Sequence, residues 1–132
     1  MKRFAVAIAA LAAVALAGCT TSLADARDAK GSGTAKVYGE PYDLVWNAVL
    51  KSMKSTHLEL VLDNKERGII LGQGKVGPFT HGENVAIFVD RVTGKVSTRV
   101  EIVNKRVLAT NVTAPDWDVR LFKAMDARLK AQ

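Results

Sequence analysis

The chain has 132 residues, 48% of them hydrophobic but only 6% aromatic, with 19 basic against 13 acidic residues, two histidines and one cysteine. That length is enough for one domain with one core and no more. A lone cysteine excludes an internal disulfide and a thiolate metal cluster, and a basic excess without a dense run or interleaved aromatics argues against nucleic acid as a partner.

Lys2 and Arg3 open the chain, and Phe4 to Ala17 follow without a charge. A basic start, an apolar run of this size and small residues before a cut site are the parts of a secretory signal peptide. A membrane-spanning helix is the competing reading, but the run has 14 residues where about 20 are needed. Leu16-Ala17-Gly18-Cys19 closes it, and Cys19 is the single cysteine. This tetrapeptide resembles the lipobox of bacterial lipoproteins at every position. The resemblance implies cleavage between Gly18 and Cys19, a diacylglycerol on the Cys19 thiol and an acylated new amino terminus. It also implies sorting by the residue after the cysteine. Aspartate there holds enteric lipoproteins at the inner membrane, whereas Thr20 and Thr21 stand here. The expected location is the outer membrane, facing the periplasm. The leader holds two of the 19 basic residues and none of the 13 acidic ones, so the remainder carries 17 against 13, formally +4.

Residues 19–34 read as a lipidated flexible tether. Thr20 to Thr34 is small, polar and charged with no sustained apolar period, a composition that buries too little to offset the entropy of ordering. Fifteen flexible residues span about 20–25 Å. The rest, 35–132, reads as one domain.

Lys36-Val37-Tyr38 begins it as a short strand. Pro41 suits a helix start, and Tyr42, Val45, Trp46, Val49 and Met53 form one apolar stripe of a helix ending near Ser55. Leu58, Leu60 and Leu62 then alternate with Glu59, Val61 and Asp63, the period of a half-buried strand. Residues 64–68 are a turn, and Ile69 begins a returning strand that runs toward Lys75. A loop spans Gly77 to Glu83. Val85, Ile87 and Val89 alternate next, Thr93-Gly94 predicts a tight hairpin, and Val96, Thr98, Val100 and Ile102 alternate on the return. Val107–Val112 reads as a ragged strand or an apolar loop. Thr113 or Ala114 is the expected cap of a last helix, in which Trp117, Leu121, Met125 and Leu129 recur every four residues.

The fold class is therefore α+β: a four-stranded antiparallel meander with two amphipathic helices on one face, in the order short β-α-β-β-β-β-α. In element order, residues 36–131 resemble the helix-grip-like domains of small periplasmic lipoproteins, including those of the C lipoprotein of the outer-membrane β-barrel assembly machinery.

Catalytic constellations are sparse. Gly72-Gln73-Gly74-Lys75-Val76-Gly77 spells G-x-G-x-x-G, but Pro78 to Gly82 carries no helical period, so the dinucleotide reading lacks its helix. The glycines fit a strand end entering a loop. His57 follows a helix and His81 sits in the Gly/Pro loop, without the ligand spacing a metal needs. No serine occupies a G-x-S-x-G elbow. Asp116 and Asp118 suit the first turn of a helix as dipole partners. No enzyme activity, metal or other cofactor is expected. Binding residues concentrate on loops, so Phe79 and His81, with Trp117 beyond them, are the candidate contacts for a partner or ligand. The expected function is a non-catalytic lipoprotein touching an envelope protein or cell-wall component through the sheet or the 77–83 loop. The alternative is a module binding a small apolar ligand between sheet and last helix, lined by Trp117, Phe122 and Phe88.

Overall fold

A computed structural model describes residues 22–78, 80–106 and 113–129. Along the chain come α1 (Leu23–Asp28), β1 (Thr34–Tyr38), α2 (Tyr42–Ser55), β2 (Glu59–Asn64), β3 (Ile69–Gln73), β4 (Val76–Gly77), β5 (Thr80–His81), β6 (Asn84–Arg91), β7 (Thr98–Lys105) and α3 (Trp117–Arg128). The expected meander is present as β2-β3-β6-β7, all antiparallel, and β1 adds a fifth strand beside β7. That pairing runs from Thr34 opposite Ile102 to Tyr38 opposite Thr98. The sheet therefore has five strands where four were expected.

One face is covered as the apolar stripes predict. α2 buries Tyr42, Val45, Trp46, Val49 and Met53, and α3 buries Trp117, Leu121 and Met125. They meet Ile70 of β3, Val85, Ile87 and Val89 of β6, and Val100 and Ile102 of β7 in one continuous core. Pro41 is the residue just before α2, and its carbonyl accepts the Leu44 and Val45 amides, both at 3.1 Å. α3 starts later than expected: its N-cap is Asp116, whose side chain makes no capping bond, so neither Thr113 nor Ala114 serves.

The tether expectation is overturned for residues 22–34. Ser22 and Asp25 form a reciprocal capping box that starts α1. Ala26 is fully buried against Leu71, Ala86, Phe88 and Val103 on the sheet's second face, with Leu23 and Ala29 packed beside it. A helix of six residues needs only an i, i+3 pair to bury, too short a signal to register as an apolar period. The sheet thus has helices on both faces. Cys19, Thr20 and Thr21 lie outside the described residues, as do Phe79 and 107–112.

Three smaller differences have local causes. In β2 the register slips between Leu60 and Leu62, leaving Val61 as a bulge. Leu60 pairs with Gly72 on the α2 side while Leu62 pairs with Leu71 on the α1 side, so the three leucines do not share a face. All six residues of this edge strand are exposed. β3 stops at Gln73, and the expected 77–83 loop is partly a two-stranded ribbon in which Val76 pairs with His81 and Gly77 with Thr80. The β6–β7 turn is wider than Thr93-Gly94 alone: the Val92 amide donates to the Ser97 carbonyl at 3.0 Å, and Val96 sits in the turn, exposed, not in the strand.

Candidate functional site

Polar side chains collect at one end of the sheet, where β3 ends, β6 begins, β7 ends and α3 starts. Glu83 is buried there, and the Trp117 indole N–H donates to its Oε2 at 3.3 Å. The Gly74 amide donates to the Glu83 carbonyl at 2.9 Å, continuing the β3–β6 ladder past its last paired residues. A Cβ on Gly74 would stand 2.6 Å from Glu83 Oε2 and 3.2 Å from the Trp117 ring. Gly72, two residues earlier, lies under Met53 and Leu58, which a Cβ would approach to 2.8 and 2.9 Å. The first two glycines of the G-x-G-x-x-G string are therefore positions where a strand passes beneath large side chains. No phosphate-binding helix follows them; the β4–β5 ribbon does.

Beside this lies a polar groove of about 240 Å³, lined in part by Thr34, Asn104, Arg106, Asp116 and Asp118. The Thr34 hydroxyl donates to Asp118 Oδ2 at 2.7 Å, and the Asn104 amide nitrogen donates to the Pro115 carbonyl at 3.0 Å. Asp118 is thus tied to β1 in addition to its place in the first turn of α3.

On the α1 face, Glu101 is the polar group that organises the surface. Its side chain is 1% exposed. Oε1 accepts the Gly31 amide at 2.5 Å and the Gly33 amide at 3.1 Å, and Oε2 accepts from Arg99 at 2.9 Å. Burial pushes its pKa up, but the Gly33 amide, the Arg99 guanidinium and the Gly31 amide together outweigh it and leave the carboxyl below its ordinary value. Gly33 is glycine on steric grounds: a Cβ would lie 2.3 Å from the Ile102 carbonyl oxygen. This anchorage fastens the segment between α1 and β1 to the sheet. Nothing in the alternation of β7 distinguished Glu101 from a solvent-facing residue, because the cover over it comes from a segment read as tether.

The expected contact residues do not converge. Trp117 is a buried core residue capped by Glu83, not an exposed platform. His81 lies on β5, paired through its backbone with Val76. Phe79, and Cys19 as the expected lipid acceptor with Gly18 before it, lie outside the described residues. The expected apolar pocket is corrected. Phe88 is on the α1 face while Trp117 and Phe122 belong to the α2/α3 core, so the three line no common space. The interval between sheet and α3 is filled by Leu121, Met125 and Leu129 packed on the strand residues.

Among the described residues, no three His, Cys, Asp or Glu side chains gather as a metal site, and no helix is long and apolar enough to cross a membrane. What remains open are surfaces. An apolar groove of about 320 Å³ runs between α2 and the β2 edge, lined by Leu50, Met53, Lys54, Leu58 and Leu60. No protein-family model matches the chain, and no curated protein matches it.

Proposed function

We propose that the chain is a non-catalytic lipoprotein of the bacterial envelope, anchored in the outer membrane through Cys19 and facing the periplasm. There it contacts another envelope protein or a cell-wall component through the sheet or the 77–83 segment. The observation that carries this reading is Leu16-Ala17-Gly18-Cys19 behind a basic start and a charge-free apolar run, with Cys19 the single cysteine. Two acyl chains or more make anchoring stable, since each buried methylene contributes about 0.8 kcal/mol.

The β2 edge supports a role in contact. An edge strand presents unpaired backbone groups to any chain able to add beside it. Here the edge also exposes Leu60, Val61 and Leu62 in succession.

Two measurements test the reading. Cys19→Ser removes the acyl acceptor, so the variant is expected to leave the membrane fraction on carbonate washing or to accumulate as precursor. Retention equal to the unchanged protein overturns the anchor. A photo-crosslinking residue at position 61, activated in intact envelopes, is expected to give an adduct with a defined partner. Recovery of monomer and lipid alone overturns the contact role.

A further inference from the structure

Resting on the anchor reading, a constraint follows from how soon the ordered structure begins. Three peptide units separate Cys19 from Ser22. At no more than 3.6 Å each they reach about 11 Å, well short of the 20–25 Å of a free fifteen-residue tether. Ser22 is not loose: its hydroxyl and amide hold the Asp25 carboxylate at 2.9 and 2.6 Å. Asp25 in turn lies within electrostatic reach of Lys105 at the end of β7, and Lys105 pairs with Asn84 at the start of β6. Further along, Lys30 bonds Asp90 near the other end of β6, at 2.8 Å. α1 therefore runs with its N-terminus at the Lys105 end of the sheet.

The β4–β5 ribbon projects from that same end, beyond the Gln73–Asn84 pair. Val76 on it is 78% exposed, the most open large apolar side chain among the described residues. Leu60, paired with Gly72 one step before Gln73, opens the apolar groove at this end too. Lys75, Lys105 and Arg106 stand there with Asp25, Glu59, Glu83, Asp116 and Asp118, three basic residues against five acidic. An acidic excess does not select an anionic surface, whereas exposed apolar groups a short distance from inserted acyl chains suit a phospholipid interface.

We infer that the end of the domain bearing the α1 N-terminus and the β4–β5 ribbon rests on the lipid leaflet that holds the Cys19 acyl chains, with Val76 at the interface. The occupant of this surface is the bilayer itself, and the β6–β7 turn is the membrane-distal pole. Eight residues of β6 separate the two poles, a rise of roughly 25 Å. On this placement a protein or cell-wall partner has the β2 edge and the distal pole to bind, and the ribbon belongs to the membrane.

The test uses the full-length lipidated protein, in which acylation occupies Cys19. Val76→Cys and, separately, Val96→Cys are labelled with an environment-sensitive dye and placed in phosphatidylethanolamine/phosphatidylcholine vesicles containing spin-labelled lipid. Val96 is 73% exposed in the β6–β7 turn, so both substitutions fall on open surface. Quenching at position 76 is expected to exceed that at 96 by about threefold or more, and to persist in high salt because apolar contact carries it. Equal quenching at the two positions, with diacylglycerol found on Cys19 by mass spectrometry, overturns the orientation and leaves the anchor standing. Absence of diacylglycerol overturns the anchor and this inference together.

Discussion

His57 has φ 62°, and it is the one described non-glycine residue in the left-handed region. The position follows from how α2 ends. The His57 amide donates to the Lys54 carbonyl at 3.3 Å and the Leu58 amide to Met53 at 3.0 Å, the paired bonds of a Schellman motif, with Leu58 packing back toward Met53 in the core. The backbone closes the helix, and the imidazole is exposed, so its presence just past a helix end is no sign of carbonyl capping. Left-handed backbone strains a Cβ by about 1–2 kcal/mol, and glycine's extra freedom when unfolded takes back part of that. His57→Gly is therefore expected to raise stability by about 0.5–1 kcal/mol, read as a higher urea midpoint with unchanged slope. Ser52 gives a second case. Its hydroxyl is buried in α2 and has no partner among the described residues, so Ser52→Ala removes an unmet group and improves helix propensity. A gain of about 0.5–1 kcal/mol is expected in the same assay.

At the scale of elements, the Gly31–Gly33 segment that follows α1 is held by one carboxylate. Glu101→Ala leaves two amides and Arg99 without their buried acceptor, and a loss of about 2 kcal/mol is expected. It should appear first as faster amide exchange at Gly31 and Gly33 and as protease cleavage within 22–33, while the α2/α3 core stays protected. Acid acts through the same group. Glu101 titrates below its ordinary value of 4.5 in the folded protein, so its contribution is full above that value. It is lost as pH falls from about 4.5 through the lower folded value. Asp126, bonded to Lys36 at 2.6 Å and Tyr38 at 2.9 Å, is likewise lowered, so the α3–β1 contact weakens further down, as pH falls from about 3.8 through its lower folded value. A protection factor at Gly31, corrected for the intrinsic pH dependence of exchange, that stays unchanged from pH 6 down to the onset of acid unfolding would refute the clamp.

For the whole molecule, the proposed anchor and the ordered segment after it determine where the domain stands. Thr20→Asp is expected to move the protein from the outer-membrane to the inner-membrane fraction on density separation, if enteric-type sorting operates. The same scale bears on Gly33. Gly33→Ala forces a Cβ against the Ile102 carbonyl, so β1 must shift off β7 or the segment must leave the sheet. Displacing the segment loosens α1, whose Ala26 packs against Phe88, and a lower midpoint with increased binding of a hydrophobic dye is the expected reading.

Periodic segments were legible from residues alone: α2 and α3 each keep one apolar stripe, because burial on one face imposes a repeat long enough to read, whereas β6 and β7 read as strands although both of their faces are covered. Leu16-Ala17-Gly18-Cys19, on which the proposed anchor rests, is read on a different basis, being a contiguous string that needs no fold. Partnerships between distant segments were not. That β1 joins β7, that Val61 bulges and turns Leu62 away from Leu60, and that Glu83 and Glu101 are buried acids all depend on which backbone groups meet across the sheet. α1 is the clearest case. Six residues carry too few apolar positions to make a helix on their own, and only the apolar patch of Leu71, Ala86, Phe88 and Val103, together with the Glu101 carboxylate, gives that segment a reason to order.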